Sequence, residues 1–386
     1  MKKKVALITG ITGQDGAYLT NFLLTKGYEV HGLRRKASSI NTSRLTPFLK
    51  FPQEKTSNFF LHFGDLTDQA NLIQLISKIK PDEIYNLGAM SHVHTSFEEP
   101  EYSAQVDAIG TLKILEAIRI LNMNNDSKIY QASTSELFGL VQETPQSEKT
   151  PFYPRSPYAI AKQYAYWISI NYREAYNFFV SNGILFNHES PLRGEDFVTR
   201  KITNGIASLI FGKKEMVYLG NLDAKRDWGH AKDYVEAMWL ILQQEKADDF
   251  IIATGKSHSV REFVEESFSC IGIEIAFKDK GLKEKAIIKS VNKNFLKQFI
   301  DDKQIEERFR KGKQVVAVDP YYFRPTEVES LVGDPSKANK QLGWEPKVDF
   351  KTLINEMVLS DIKLMGNSML IEKSGYIQEI FDLNEN

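Results

Sequence analysis

Two hydrophobic periods alternate along the first half of the chain. Val5-Ala6-Leu7-Ile8-Thr9 is a short apolar run, the pattern of a strand covered on both faces. Glycines follow, and residues 17–26 then have helical spacing closed by Gly27. Residues 28–33 and 59–63 read as the next two strands, and residues 68–78 as a helix that stops before Pro81. Glu83-Ile84-Tyr85-Asn86-Leu87 and Lys128-Ile129-Tyr130-Gln131-Ala132 are two further short strands, with a long helix over about residues 102–121 between them. Residues 158–176 form another helix. Such alternation predicts an α/β fold of the Rossmann type, a doubly wound parallel sheet with helices on both faces.

Beyond Asn187 the pattern becomes irregular, with scattered Arg and aromatic residues. The expected division is a nucleotide-binding domain over residues 1–186 and a smaller, mixed α/β substrate-binding part over residues 187–386. A helix at 233–243 and a strand at 250–254 are expected to return to the first core, as part of a segment over about 228–257. Residues 278–313 are dominated by Lys, Glu, Asp and Arg around isolated apolar positions. A solvated helical insertion is the expectation there, with a lid or partner-binding role as the alternative.

Composition narrows the class. With 42% hydrophobic and 26% charged residues, the chain is that of an ordinary globular protein. A net charge of −1 gives no electrostatic reason for nucleic acid or membrane as partner. The single cysteine, Cys270, excludes an internal disulfide and fits a reducing cytoplasm. Met1-Lys2-Lys3-Lys4 opens like a signal peptide, but the apolar run after it is too short. A soluble cytoplasmic protein is expected.

Candidate chemistry begins at Gly10-Ile11-Thr12-Gly13-Gln14-Asp15-Gly16, between a strand and a helix. Glycines there permit positive φ and let a pyrophosphate approach N–H groups at the helix N-terminus. The end of the second strand reads His31-Gly32-Leu33-Arg34-Arg35-Lys36-Ala37-Ser38, cations where NAD-binding folds carry a carboxylate. That predicts NADP, its 2′-phosphate held by Arg35, Lys36, Ala37 and Ser38; a merely solvated basic loop is the alternative. Asp65-Leu66 is placed to meet the adenine, and Leu87-Gly88-Ala89-Met90-Ser91 to pass the nicotinamide half.

Ser133-Thr134-Ser135-Glu136 and Tyr158-Ala159-Ile160-Ala161-Lys162 carry the reaction chemistry. A Tyr and a Lys four apart share a helix face, and the ammonium favours the phenolate. The phenolate can take an alcohol proton while a nicotinamide takes the hydride. Glu136 adds a second base, which simple alcohol oxidation does not need. A capping or salt-bridging carboxylate is the plain alternative for Glu136, and a surface helix pair for Tyr158 and Lys162. His92 and His94 lack a nearby carboxylate or Cys to complete a metal site, so no metal is expected.

With these residues the chain resembles the extended short-chain dehydrogenase/reductase family and, within it, the GDP-mannose 4,6-dehydratases. The resemblance covers nearly the whole chain. It is strongest at residues 10–15, 131–139, 151–158, 183–191, 220–229 and 322–329. It implies that Tyr158, with Lys162 and Thr134, takes the O4 proton of a GDP-sugar, and that Glu136 takes the C5 proton. It implies cofactor contacts from Gly10, Thr12, Gly13, Gln14, Asp15, Gly16, Tyr102, Lys162, His188 and Arg193. Nucleotide-sugar contacts are implied for Ser91, Asn187, Lys201, Arg226, Arg324 and Glu327. A homotetramer or homodimer is implied as well, with residues 34–44 reaching a neighbour's cofactor site. The order of basic residues at 33–37, Met90, Thr95 and the charged stretch near 280–313 depart from the family pattern. A GDP-manno-heptose dehydratase therefore stays open as the alternative. A GDP-sugar epimerase or reductase, or a non-catalytic NADP-binding regulator, is more distant.

Overall fold

The structure is a computed structural model that describes residues 3–37, 41–49, 58–323, 326 and 328–373. Seven strands form one all-parallel sheet. They are β1 (Val5–Thr9), β2 (Glu29–Arg34), β3 (Phe59–Phe63), β4 (Glu83–Asn86), β5 (Lys128–Thr134), β6 (Val180–Leu185) and a returning strand, Phe250–Ile252. The spatial order is Phe250–Ile252, β6, β5, β4, β1, β2, β3. The strand order reverses between β1 and β4, the switch point beyond which doubly wound sheets bind ligands. Leu7, Ile84, Ile129 and Val180 from the strands pack with Ile76, Ile114, Leu115 and Ile118 from the covering helices.

The chain divides into two compact units. The first comprises Met1–His188, Arg226–Ser257 and Thr326–Val348, and contains the parallel sheet. Nothing in the sequence assigns its last segment to this unit rather than to the second. Trp344 is buried there and donates its indole N–H to the Asp233 carbonyl at 2.8 Å.

One expected helix differs in kind. Over residues 102–121 the chain passes from the α-helical Pro100–Ser103 through a π-helical turn, Ala104–Ile109, into the α-helical Gly110–Ile120. A π turn holds one more residue than an α turn and re-aims the side chains it carries. Asp107, on that turn, is buried.

The second unit comprises Glu189–Lys225, His258–Pro325 and Asp349–Asn386. A mixed sheet in the order Ile273–Lys278, Lys285–Val291, Gln314–Val318, Val217–Leu219 lies in it. The expected helical insertion at 278–313 is thereby corrected: only Lys293–Leu296 and Asp302–Phe309 are α-helical, and Lys285–Val291 is an inner strand. Ala286 and Ile288 are buried while Ile287 and Lys289 are not, the period of a strand. The flanking lysines mask that period in the sequence. Elsewhere in this unit Arg200, on helix Val198–Ile210, forms a buried pair with Asp361 on helix Phe350–Lys373, at 2.7 Å. Among the described residues no helix is long and apolar enough to cross a membrane.

Candidate active site

The glycine loop is built by close approach. Gly10 has φ +65°, and a Cβ there would stand 2.8 Å from the Gly88 nitrogen. A Cβ on Gly16 would stand 2.5 Å from the Ile11 carbonyl oxygen. Gly13 differs: it is exposed, and a Cβ there would meet only the Gly10 oxygen, at 3.2 Å. Gly13 also precedes helix Gln14–Thr25, whose N-terminus no side chain caps among the described residues. A pyrophosphate fits this bare end, where backbone N–H groups and the helix dipole favour anions.

Asp15 and Gln14 clamp the loop to the segment after β6. His188 Nε2 lies 2.7 Å from Asp15 Oδ2, and Nδ1 lies 2.9 Å from the Phe186 carbonyl oxygen. Gln14 donates to the His188 carbonyl at 3.1 Å, and the His188 ring stacks on Tyr234. Arg44 donates to the Thr12 carbonyl at 3.2 Å within the same chain. Arg35 donates to the Tyr102 hydroxyl at 2.6 Å, while Lys36 and Ala37 are exposed. Asp65 accepts from the Thr67 amide and hydroxyl, both at 2.9 Å, and Leu66 packs under Gly88. Ser38, Arg324 and Glu327 lie outside the described residues.

A row of polar side chains runs under the ends of the central strands. Thr9, Asn86 and Gln131 stand side by side in register on β1, β4 and β5. Thr9 donates to Asn86 at 2.6 Å, and Asn86 donates to Gln131 at 2.7 Å. Gln131 donates to the Ala132 carbonyl at 3.0 Å, and Lys162 Nζ donates to that same oxygen at 3.1 Å. At the other end Gly88 donates its N–H to Thr9 at 2.9 Å. The backbone that would flank a nicotinamide is thus tied to the ammonium that would assist the base. Sequence reading missed this row, although each member is a polar residue inside an otherwise apolar strand.

Tyr158 and Lys162 lie one turn apart on helix Pro157–Tyr176, which starts at a Ser156 cap and Pro157. Lys162 Nζ is 5.9 Å from the centre of the Tyr158 ring. Burial pulls the Lys162 ammonium below its ordinary range, and the Asp107 carboxylate pulls it back up. Thr134 ends β5, and its hydroxyl accepts the Glu136 N–H at 3.2 Å, opening the 3-10 turn Ser135–Leu137. Thr134, Glu136, Tyr158 and Lys162 are all buried. Asp107 was not singled out in the sequence either. One of its oxygens accepts the Met90 N–H at 2.7 Å, and burial pushes its carboxyl up to about 6.

The remaining candidates take other partners. Asn187 is half-buried, Ser91 and Ala89 sit on the loop after β4, and Arg226 donates to the Val328 carbonyl at 2.7 Å. In the second unit, Arg193 pairs with Glu189 at 3.1 Å and lies 3.6 Å over the Phe197 ring. Lys201 lies 4.3 Å over Tyr322, and burial lowers its pKa. His92 accepts from Thr95 in a local cap, and His94 lies 3.8 Å from Glu98.

The profile of the family described as GDP-mannose 4,6 dehydratase matches residues 7–357. A GDP-mannose 4,6-dehydratase of Vibrio cholerae serotype O1 is 58% identical over 376 residues, 97% of this chain and 98% of that protein. The Homo sapiens GDP-mannose 4,6 dehydratase is 56% identical over 364 residues, 94% of this chain and 92% of its own. Among solved structures, a Bacillus anthracis dTDP-glucose 4,6-dehydratase in complex with NAD superposes with a TM-score of 0.70 at 20% identity, covering 93% of this chain and 97% of that one. RMD from Pseudomonas aeruginosa, complexed with NADPH, gives a TM-score of 0.68 at 18% identity, covering 94% and 100%. These two likenesses speak to the fold.

Proposed function

The chain belongs to the GDP-mannose 4,6-dehydratase family, and we propose that Tyr158, Lys162, Thr134 and Glu136 carry out its reaction. It is a nucleotide-sugar hydro-lyase that turns GDP-mannose into GDP-4-keto-6-deoxymannose. A nicotinamide dinucleotide, when bound, accepts the C4 hydride and returns it to C6. The Tyr158 phenolate takes the O4 proton, the Lys162 ammonium stabilises that phenolate, and the Thr134 hydroxyl hydrogen-bonds the reacting oxygen. The C4 ketone acidifies C5, and the Glu136 carboxylate takes the C5 proton as water leaves from C6.

The observation that carries this reading is the convergence on one strand end. Thr134 and Glu136 lie two and four residues beyond Ala132, whose carbonyl accepts from Lys162 Nζ at 3.1 Å. Of the two hydride carriers, NADP is the proposed one, supported by the cations Arg35 and Lys36 and the absence of a carboxylate at that strand end. Lys201, Arg226, Arg324 and Glu327 are proposed for the GDP-sugar, Arg forks suiting diphosphate oxygens. A homotetramer or homodimer is proposed too. Ile160, Tyr164 and Trp167 form an exposed apolar stripe on helix Pro157–Tyr176, a surface that a second copy would cover. The single cysteine supports a cytoplasmic location. Incubating the protein with NADP⁺ and either GDP-mannose or GDP-manno-heptose tests the substrate. A keto product from GDP-mannose supports the reading, and turnover of the heptose alone refutes it.

A further inference from the structure

Asp107 belongs to none of the roles above, yet it is among the most deeply buried carboxylates of the first unit, at 1% exposure. We infer that Asp107 is a positioning residue of the reaction centre, fixing the loop at residues 87–91 through the Met90 amide and supplying the counter-charge that keeps Lys162 an ammonium. The inference rests on the reading of Tyr158 and Lys162 as base and assistant.

Three observations converge on it. The π turn Ala104–Ile109 packs against helix Pro157–Tyr176, so Asp107 and Lys162 enter one interior from two elements. Oδ1 of Asp107 accepts the Met90 N–H at 2.7 Å, whereas Oδ2 is buried with no hydrogen-bond partner among the described residues. Such an oxygen is tolerable on an anion only when an opposite charge lies near. Lys162 is likewise enclosed, and its hydrogen bond goes to the neutral Ala132 carbonyl, which cannot balance an ammonium. Asp107 is held at its backbone as well. The Thr111 hydroxyl lies 3.1 Å from the Asp107 carbonyl oxygen and 3.3 Å from Gln131 Oε1, its one proton shared between them, and Gln131 donates to the oxygen that Lys162 uses. One connected framework therefore fixes the loop, the carboxylate and the ammonium.

The groups acting on Asp107 are the Lys162 ammonium from helix Pro157–Tyr176 and the Met90 N–H from the loop after β4, both favouring its ionised form against burial. Asp107 in turn raises the pKa of Lys162. Removing the anion lets Lys162 lose its proton at lower pH, and the Tyr158 phenolate then loses its support.

The test compares kcat and KM for GDP-mannose from pH 5 to 10 in the full-length, cofactor-loaded wild type, Asp107→Asn, Asp107→Ala and Tyr158→Phe. Asp107→Asn keeps an oxygen for Met90 and removes the charge. It should lower kcat by about 10-fold or more, leave KM within about 3-fold, and move the alkaline limb of kcat down by a unit or more. Asp107→Ala should raise KM further. Wild-type kcat in Asp107→Asn, or a loss of kcat with an unshifted alkaline limb, would overturn the inference. Activity in Tyr158→Phe would instead remove the reading on which it rests. Should neither Asp107 variant fold, Asp107→Glu carries the test: it keeps the charge, so its alkaline limb should match that of the wild type, and a limb moved down by a unit or more overturns the role.

Discussion

His188 and Asp15 stand 2.7 Å apart across 173 residues of chain, joining the segment after β6 to the glycine loop. With the Phe186 carbonyl at its other nitrogen, the ring donates to both oxygens only when protonated. The clamp fixes the loop proposed to receive the cofactor pyrophosphate. His188→Ala should therefore weaken cofactor binding by about 10- to 100-fold, the worth of a charge-assisted hydrogen bond. Titrating stripped protein with NADP⁺ and following tyrosine or tryptophan fluorescence checks this. Unchanged affinity would mean that the loop holds its shape alone.

The proposed preference for NADP over NAD rests on Arg35 and Lys36. Both are exposed, and Arg35 is steadied by Tyr102 at 2.6 Å. Replacing both with Ala should erase most of the preference for NADP⁺ over NAD⁺, a loss of about 10-fold or more for two phosphate contacts. Equal wild-type affinity for the two cofactors would refute the proposed role of this basic segment.

The buried pair of Arg200 and Asp361 predicts a stability effect. Asp361 accepts from Arg200 and from the Thr203 hydroxyl, and burial raises its pKa against both. Asp361→Ala leaves a buried guanidinium uncompensated, so it should cost about 3–5 kcal/mol. Urea unfolding of the two proteins measures it, and a loss below about 1 kcal/mol would assign the pair no net value.

Tyr130 gives the opposite case. Its hydroxyl is buried without a hydrogen-bond partner among the described residues, and burial pushes its pKa far up. Tyr130→Phe removes an unsatisfied group from a packed strand, so stability should hold or rise by up to about 1 kcal/mol. A loss above about 2 kcal/mol in the same unfolding experiment would reveal a partner for the hydroxyl.

Much of this was legible in the chain because short apolar runs and glycine punctuation carry their own signal. β1, β4 and β5 fall where the apolar segments do, and the helix expected over residues 158–176 is present as Pro157–Tyr176, carrying Tyr158 and Lys162. What escaped depends on tertiary register. Thr9, Asn86 and Gln131 read singly as ordinary polar residues, and only parallel pairing sets them in one row. Asp107 sat unnoticed inside a helical pattern because a π turn has no composition of its own. Lys285–Val291 was obscured because lysines flank its buried Ala286 and Ile288.

In the proposed mechanism, dehydration, as opposed to simple oxidation, depends on Glu136 as a second base. Glu136→Gln keeps the shape of the side chain but cannot accept the C5 proton. Product formation should slow by about 10²-fold or more, while oxidation at C4 persists and absorbance of the reduced nicotinamide builds up on the enzyme. Tyr158→Phe, blocked one step earlier, should show none. The most direct measurement is solvent deuterium entering C5 of GDP-mannose in D₂O, followed by mass spectrometry and NMR. In Glu136→Gln that incorporation should fall by the same factor as product formation; incorporation at the wild-type rate would contradict Glu136 as the base.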